Sequence, residues 1–212
     1  MIFIVKLSSS QFIDRYGINV GASYSTQIWN YKLISGDADI GYKFGPMAFI
    51  QAEKDFGNNL ALRTEFGYVQ KGFKNQFELR FEDGTSAGTN NDNLILHNLA
   101  LNLGLKLIPL KAEYSPYFLI GLRTDYMISY KDIVIEEQQS GLKFNMYESA
   151  VEEFNKFNLG GLLGLGFNLK QLVYLEVEFN PNITKSFNDI DLSVKDNSWA
   201  AKIGLNINEL IK

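Results

Sequence analysis

From Tyr16 to Ile28 the chain alternates two kinds of side chain. The even positions are Tyr16, Ile18, Val20, Ala22, Tyr24, Thr26 and Ile28, and the odd ones are Gly17, Asn19, Gly21, Ser23, Ser25 and Gln27. Successive side chains of a strand point to opposite sides, so this segment predicts a strand with one apolar and one wet face. The alternation returns in seven further segments: Phe44 to Glu53, Leu60 to Gln70, Leu94 to Leu107, Tyr117 to Tyr130, Phe157 to Leu169, Val173 to Phe179 and Ser198 to Ile207. The second is the least regular, with Pro46 near its start, where a missing N–H is tolerated. Roughly ten residues of tilted strand cross about 25 Å of hydrocarbon. The pattern therefore predicts an all-β chain: an eight-stranded antiparallel up-and-down transmembrane β-barrel, with the apolar phase on lipid and the polar phase in a lumen.

The phase assigns individual residues. The third segment sends Leu60, Leu62, Thr64, Phe66 and Tyr68 outward, and the fourth sends Leu99, Leu101, Leu103, Leu105 and Leu107 outward against Asn98, Ala100, Asn102, Gly104 and Lys106. In the fifth, Phe118, Ile120, Leu122, Thr124, Tyr126, Ile128 and Tyr130 face out while Gly121, Arg123, Asp125 and Ser129 face in. Lipid of the outer membrane is thus an implied partner. Tyr 11 and Phe 16 against Trp 2 are enough aromatics for interfacial girdles. No apolar run is long enough for a membrane helix, so only strands could span.

Connections are short after the second, fourth and sixth strands, and longer and polar after the first, third, fifth and seventh. This asymmetry matches short periplasmic turns and long external loops, with both termini periplasmic in the bacterial outer membrane. Nothing divides residues 11–212 into separate domains. Residues 1–10 read in two ways. Met1 to Val5 is apolar, and Ser8-Ser9-Ser10 puts small residues one and three places before Gln11, as a clipped signal peptide would; a short N-terminal strand or disordered tail is the other reading.

Candidate chemistry lies on the inward phase. It carries Arg63, Lys106, Arg123 and Lys202 against Glu65, Asp125, Glu176 and Glu178, four cations and four carboxylates. Side chains fill an eight-stranded barrel, so these groups are expected to pair across the lumen as a structural network that plugs it. Glu65, Glu176 and Glu178 could instead form an acid/base site, but no nucleophile or metal motif accompanies them. His97 is the single histidine, which excludes a multi-histidine metal site, and its place near the outer end of the fourth strand predicts an interfacial side chain. The loop Asp83 to Asp92 and the run Asn188 to Asp191 have calcium-compatible residues without the spacing of a calcium loop. Gly160 to Gly166 contains a G-x-x-x-G and a dinucleotide-like spacing but no following helix pattern; its inward glycines make room for bulky neighbours. Cys 0 excludes disulfides, thiolate metal sites and an acylated cysteine anchor, and a net charge of −4 without a basic cluster argues against nucleic acid as a partner. No cofactor is implied.

Several segments resemble the PorT-type outer-membrane β-barrel family, common in Bacteroidota and named after a component associated with type IX secretion. Gly17-Ile18-Asn19-Val20-Gly21-Ala22-Ser23-Tyr24-Ser25 resembles its first strand. Glu65 to Gly72 is similar to its E-x-x-Y-x-x-K-G segment, Pro116 to Gly121 to its P-Y-x-x-x-G strand, and Leu175 to Asn180 to its penultimate strand. The chain departs from it at Leu103 to Leu107, where the family tends to have a proline-containing run, and at Glu178 and Phe179, where Arg and Tyr are common. The resemblance implies an outer-membrane barrel with no enzymatic activity that anchors, scaffolds or assists a larger envelope assembly, including one linked to protein secretion, with outer-membrane or periplasmic proteins as partners. A small-solute pore or carrier is the alternative, and a soluble lipocalin-like barrel with the apolar face inward is a third arrangement compatible with alternation alone.

Overall fold

The computed structural model describes residues 13–31, 40–75, 77–80, 86–90, 92–110, 112–136, 141, 143–170 and 172–208. The leader reading of residues 1–10 and the start near Gln11 lie outside them. Eight long strands form the wall: β1 (Arg15–Tyr31), β2 (Lys43–Phe56), β3 (Leu60–Asn75), β4 (Asn93–Leu107), β5 (Tyr114–Lys131), β6 (Phe157–Leu169), β7 (Val173–Pro181) and β8 (Leu192–Asn206). Each is antiparallel to its sequence neighbour, and β8 returns to β1 over the register Gly17↔Asn206 to Tyr31↔Leu192. The sheet is therefore closed, and its strands have no free edge to expose in hydrocarbon. No described helix is long and apolar enough to cross a membrane.

The alternating phase sets which face meets which environment. Ile18, Val20, Ile50, Leu103, Leu122, Leu165, Val177 and Ile203 are all 44–62% exposed on the outer wall. Outward apolar residues exclude the lipocalin-like arrangement, which needs them inside. Phe157 and Phe167 bound the lipid-facing part of β6; ten residues of strand at 3.3 Å each, tilted by about 40°, span about 25 Å along the membrane normal. At the level of Phe157, register links it to Tyr126, Leu99 and Tyr68, and across the barrel Tyr24 pairs with Trp199 and Trp199 with Phe179. This is one aromatic girdle, on the side of the long connections. His97 belongs to it: Nδ1 lies 2.6 Å from the Tyr68 hydroxyl and the two rings stack.

Three details differ from the sequence reading. β2 alternates regularly from Lys43 onward; its inward side carries Met47 and Phe49 beside Gln51 and Glu53, and those apolar residues hid the polar phase. β1, β3 and β8 each run several residues further at the long-loop end, where their inward positions become apolar. Ser129 is exposed rather than inward, because the β4–β5 register slips between His97 and Asn98: His97 opposes Ser129 while Asn98 opposes Met127, and Ile128 is the extra residue.

Additional short pieces sit beyond the girdle. Phe77–Arg80 pairs with Ser86–Asn90, Val134–Glu136 pairs with Lys143–Asn145, Ile40–Gly41 extends the sheet beside β3, and Phe187–Asn188 lies against β8. A five-residue helix, α1 (Glu148–Glu152), precedes β6. Substituting Leu122→Arg puts a charge at mid-wall, and we expect it to lower the stability of the bilayer-inserted protein by about 2–4 kcal/mol in denaturant titrations. Wild-type stability of that variant would show that Leu122 does not face lipid.

Candidate functional site: the lumen and its cap

The inward phase of β1–β8 converges on the barrel axis and brings all eight sequence-predicted charges inside. Six of them meet in the half nearer the short turns. Arg63 donates from Nε to Glu53 at 2.6 Å and from a terminal nitrogen to Glu176 at 2.6 Å. Lys202 lies 2.8 Å from Glu65, 3.3 Å from Glu176 and 2.5 Å from Glu178, and Lys106 lies 3.1 Å from Glu53. Arg123 and Asp125 form a separate pair at 2.9 Å further toward the long loops, and Lys71 joins them at 2.6 Å from Asp125.

Neutral groups fill in around the charges. Asn19 and Asn102 donate to Glu65, the Tyr117 hydroxyl donates to Glu176 at 2.7 Å, and the Tyr174 hydroxyl donates to Gln51, whose amide reaches Asn206. The Tyr117 and Tyr174 rings also hold cations on their faces: Lys106 Nζ is 4.2 Å from the Tyr117 centroid, and Arg63 Cζ is 4.8 Å from that of Tyr174. These rings need the space that glycine leaves. A Cβ on Gly166 would sit 2.0 Å from Tyr117, and one on Gly204 would sit 1.9 Å from Tyr174, so the inward glycines and the tyrosines fit as pairs.

The network is dry. Arg63, Glu65 and Glu53 are 1% exposed and Glu178 is 0% exposed, so a water-sized sphere does not reach them from either end of the barrel. Glu65, Glu176 and Glu178 bring carboxylate oxygens within 4.8 Å of one another, a spacing that could hold a metal ion. The Lys202 ammonium already stands among the three oxygens and supplies the cation there. Lys202 fills the space that a substrate or attacking group would need between the three carboxylates. The run Asn188 to Asp191 makes turn hydrogen bonds, including Asp189 N–H to Leu192 O, and part of the Asp83 to Asp92 loop lies outside the described residues.

Sequence reasoning missed several members of the interior. Among the described residues, Lys43, Lys71, Glu53 and Asp196 are buried charges as well, which gives six cations and six carboxylates. Glu53 and Lys71 continue the inward phase of β2 and β3 and were legible from the two-residue period. Asp196 lay in a segment read as loop; in the structure it accepts from Gln27 at 2.7 Å and from Ser186 at 2.6 Å.

Above the charges the lumen turns apolar. Trp29, Phe73, Leu94, Leu96, Met127 and Val194 point inward from the strand tops and pack with Ile133, Val151 and Phe154 of the β5–β6 connection. Tyr147 seals this cap: its ring meets Trp29 and Phe73 edge-on at 5.4 and 5.2 Å, and its hydroxyl hydrogen-bonds Asn75. Asp132 holds the connection in place by accepting from the N–H groups of Ile133 and Tyr147. Burial pushes the Tyr147 hydroxyl up to about 12. At the opposite end Arg15 bridges Glu53 and Asp55, and Asn208, just past β8, ties it to the start of β1, accepting from Tyr16 N–H and donating to Asp14 O. The Asp55 N–H, donating to the Asp14 carboxylate, holds that group below its ordinary range.

A closed antiparallel barrel with an apolar outer wall, aromatic girdle and polar interior is an integral outer-membrane β-barrel protein. Residues 9–188 match the family described as "Outer membrane protein beta-barrel domain", and the chain belongs to that family, which places it in the bacterial outer membrane. Similar solved structures include Ail, the attachment invasion locus protein of Yersinia pestis, in complex with the heparin analogue sucrose octasulfate: 16% identity over 91% of this chain and 97% of that one, TM-score 0.45. They also include the outer membrane protein OprG from Pseudomonas aeruginosa, at 10% identity over 91% and 96% of the two chains, TM-score 0.45. A third is Neisserial surface protein A, at 14% identity over 89% and 96%, TM-score 0.44. No curated protein matches the chain.

Two outcomes are expected from the interior. Glu176→Ala strips Arg63 and Tyr117 of an acceptor in a buried lumen and should cost about 3–5 kcal/mol of unfolding free energy, with Arg123→Ala also lowering the midpoint. For the cap, the folded state favours protonated Tyr147, so its contribution is present below the ordinary tyrosine value of about 10 and is lost as pH rises toward about 12. Trp29 emission should shift across that window in the wild type, and Tyr147→Phe should lack the step.

Proposed function

We propose that the protein is a non-enzymatic integral barrel whose sealed interior makes it a rigid anchor, scaffold or accessory subunit of an envelope assembly. The observation that carries this reading is the filled lumen: buried ion pairs across the axis, with an apolar cap above them, leave no open path for a solute. A narrow barrel filled this way contributes its outer wall and long connections to partners, and keeps its interior for stability. The PorT-type resemblance of Glu65 to Gly72 and Pro116 to Gly121 supports a place beside other outer-membrane or periplasmic proteins, including a link to protein secretion. The length asymmetry of the connections supports termini in the periplasm and loops outside.

Purified protein in planar bilayers should show no sustained conductance. A steady conductance abolished by Glu176→Ala with unfolding unchanged would establish a pore instead. Protease added to intact cells should cut within residues 132–156 and 187–197; cuts confined to the turns at residues 55–59 and 170–172 would invert the orientation.

A further inference from the structure

Above the girdle the outer wall changes character on β3, β4 and β5. Tyr68, Leu99 and Tyr126 stand side by side in the girdle. The next outward row, about 6–7 Å further along the strands, is Gln70, His97 and Ser129, joined by the register pairs Gln70↔His97 and His97↔Ser129. Beyond it Lys131 faces outward opposite Ile95. The β5 bulge is what puts polar groups there. With Ile128 as the extra residue, Ser129 and Lys131 turn to the outer side, and Tyr130, opposite Leu96, turns to the cap. An unbroken strand would aim Tyr130 outward and hide Ser129 and Lys131 inside.

Each member of this patch presents a donor. Buried Lys43 donates to Gln70 Oε1 at 2.7 Å, so the Gln70 amide turns its NH2 group away from that ammonium. The Tyr68 hydroxyl lies 2.6 Å from His97 Nδ1 and the rings stack, which leaves Nε2 to face a ligand. That nitrogen donates when Tyr68 gives its proton to Nδ1, and also when the ring is charged. Ser129 and Lys131 are exposed, and among the described residues neither Lys43 nor Lys131 is in an ion pair. The carboxylates of the β5–β6 connection gather elsewhere: Asp132, Glu148 and Glu152 act on Tyr130, whose side chain belongs to the cap side. Where Glu152 borders a notch beside Ser129, Lys156 borders it too. Donors without acceptors, set into an otherwise apolar wall, match an anion carried on an apolar body.

We propose that this patch binds the phosphate monoester of a phosphorylated glycolipid in the outer leaflet. A monoester offers three oxygens and close to two negative charges, enough for Lys131 together with the Gln70, His97 and Ser129 donors, whereas a phosphodiester offers two free oxygens and one charge. The acyl chains run down over Leu99 and Tyr126. The choice of leaflet rests on the proposed orientation with the long connections outside, which the protease experiment tests separately; the patch lies on the outer wall and does not depend on whether the lumen conducts.

The test uses the full chain in detergent and native mass spectrometry, with diphosphorylated lipid A, lipid A stripped of its phosphates, or phosphatidylglycerol added in turn. Diphosphorylated lipid A should be retained about tenfold more than either other lipid. His97→Phe, which keeps a ring against Tyr68, and Lys131→Gln should each remove most of that preference. Lys195→Gln should leave it intact, because Lys195 lies opposite Ile28 on the outward phase of β8, across the barrel from β4. Lys131 is exposed, so the unfolding midpoint of Lys131→Gln should stay at the wild-type value. Equal retention of the three lipids, a preference unchanged in both His97→Phe and Lys131→Gln, or an equal loss in Lys195→Gln would overturn the site. Displacement of lipid A by inorganic phosphate would also overturn it, since the ligand would then be the free ion and not the membrane lipid.

Discussion

Everything in this molecule follows from one constraint, that a sheet in hydrocarbon cannot keep an edge. The fifteen-residue register between β1 and β8 meets it by returning the last strand to the first. Once the sheet is closed, period-two geometry divides the chain into a lipid face and an interior face with no further choice. Eight strands then fix an interior narrow enough for side chains to span it. Closure thus decides both which residues are greasy and why the remaining ones must be reconciled with each other.

That reconciliation is electrostatic below and apolar above. Arg63, Lys106 and Lys202 face Glu53, Glu65, Glu176 and Glu178 at contact distance, with the Tyr117 hydroxyl donating to Glu176 and the Tyr117 and Tyr174 ring faces holding Lys106 and Arg63. Burying such groups is unfavourable unless each is paired and hydrogen-bonded, so the density of contacts is a requirement of the site. The apolar cap then keeps water from competing for them. Wall, network and cap occupy successive shells of one structure.

The wall was legible in the sequence because alternation reports phase directly: Leu99 to Leu107 or Tyr16 to Ile28 can be laid on lipid without any structure. The eight charges followed from the same phase. Height along the axis is not encoded by a two-residue period, so nothing in the sequence showed that Trp29, Phe73 and Leu94 continue the inward phase above the membrane and build a cap. Tyr117 and Tyr174 were hidden for a related reason, since an aromatic residue suits a lipid face, a girdle and a packed lumen equally. The β5 bulge escaped because Ile128 and Tyr130 look like uninterrupted alternation; only the partner strand reveals that a residue is extra. Asp196 was lost when the start of β8 was placed at Ser198.

The reach of the interior contacts has a consequence for how the protein is made. Arg63 and Glu176 are 113 residues apart in the chain, and Lys202 and Glu65 are 137 apart. No hairpin of neighbouring strands can form either pair, so the cations and carboxylates find each other only when distant parts of the wall curl into one ring. A half-curled sheet would carry unmatched charge on one side and an open edge on the other, in the medium that tolerates both least. These pairs therefore form only when ring closure brings distant strands together, and their long sequence separation raises the contact order of the fold.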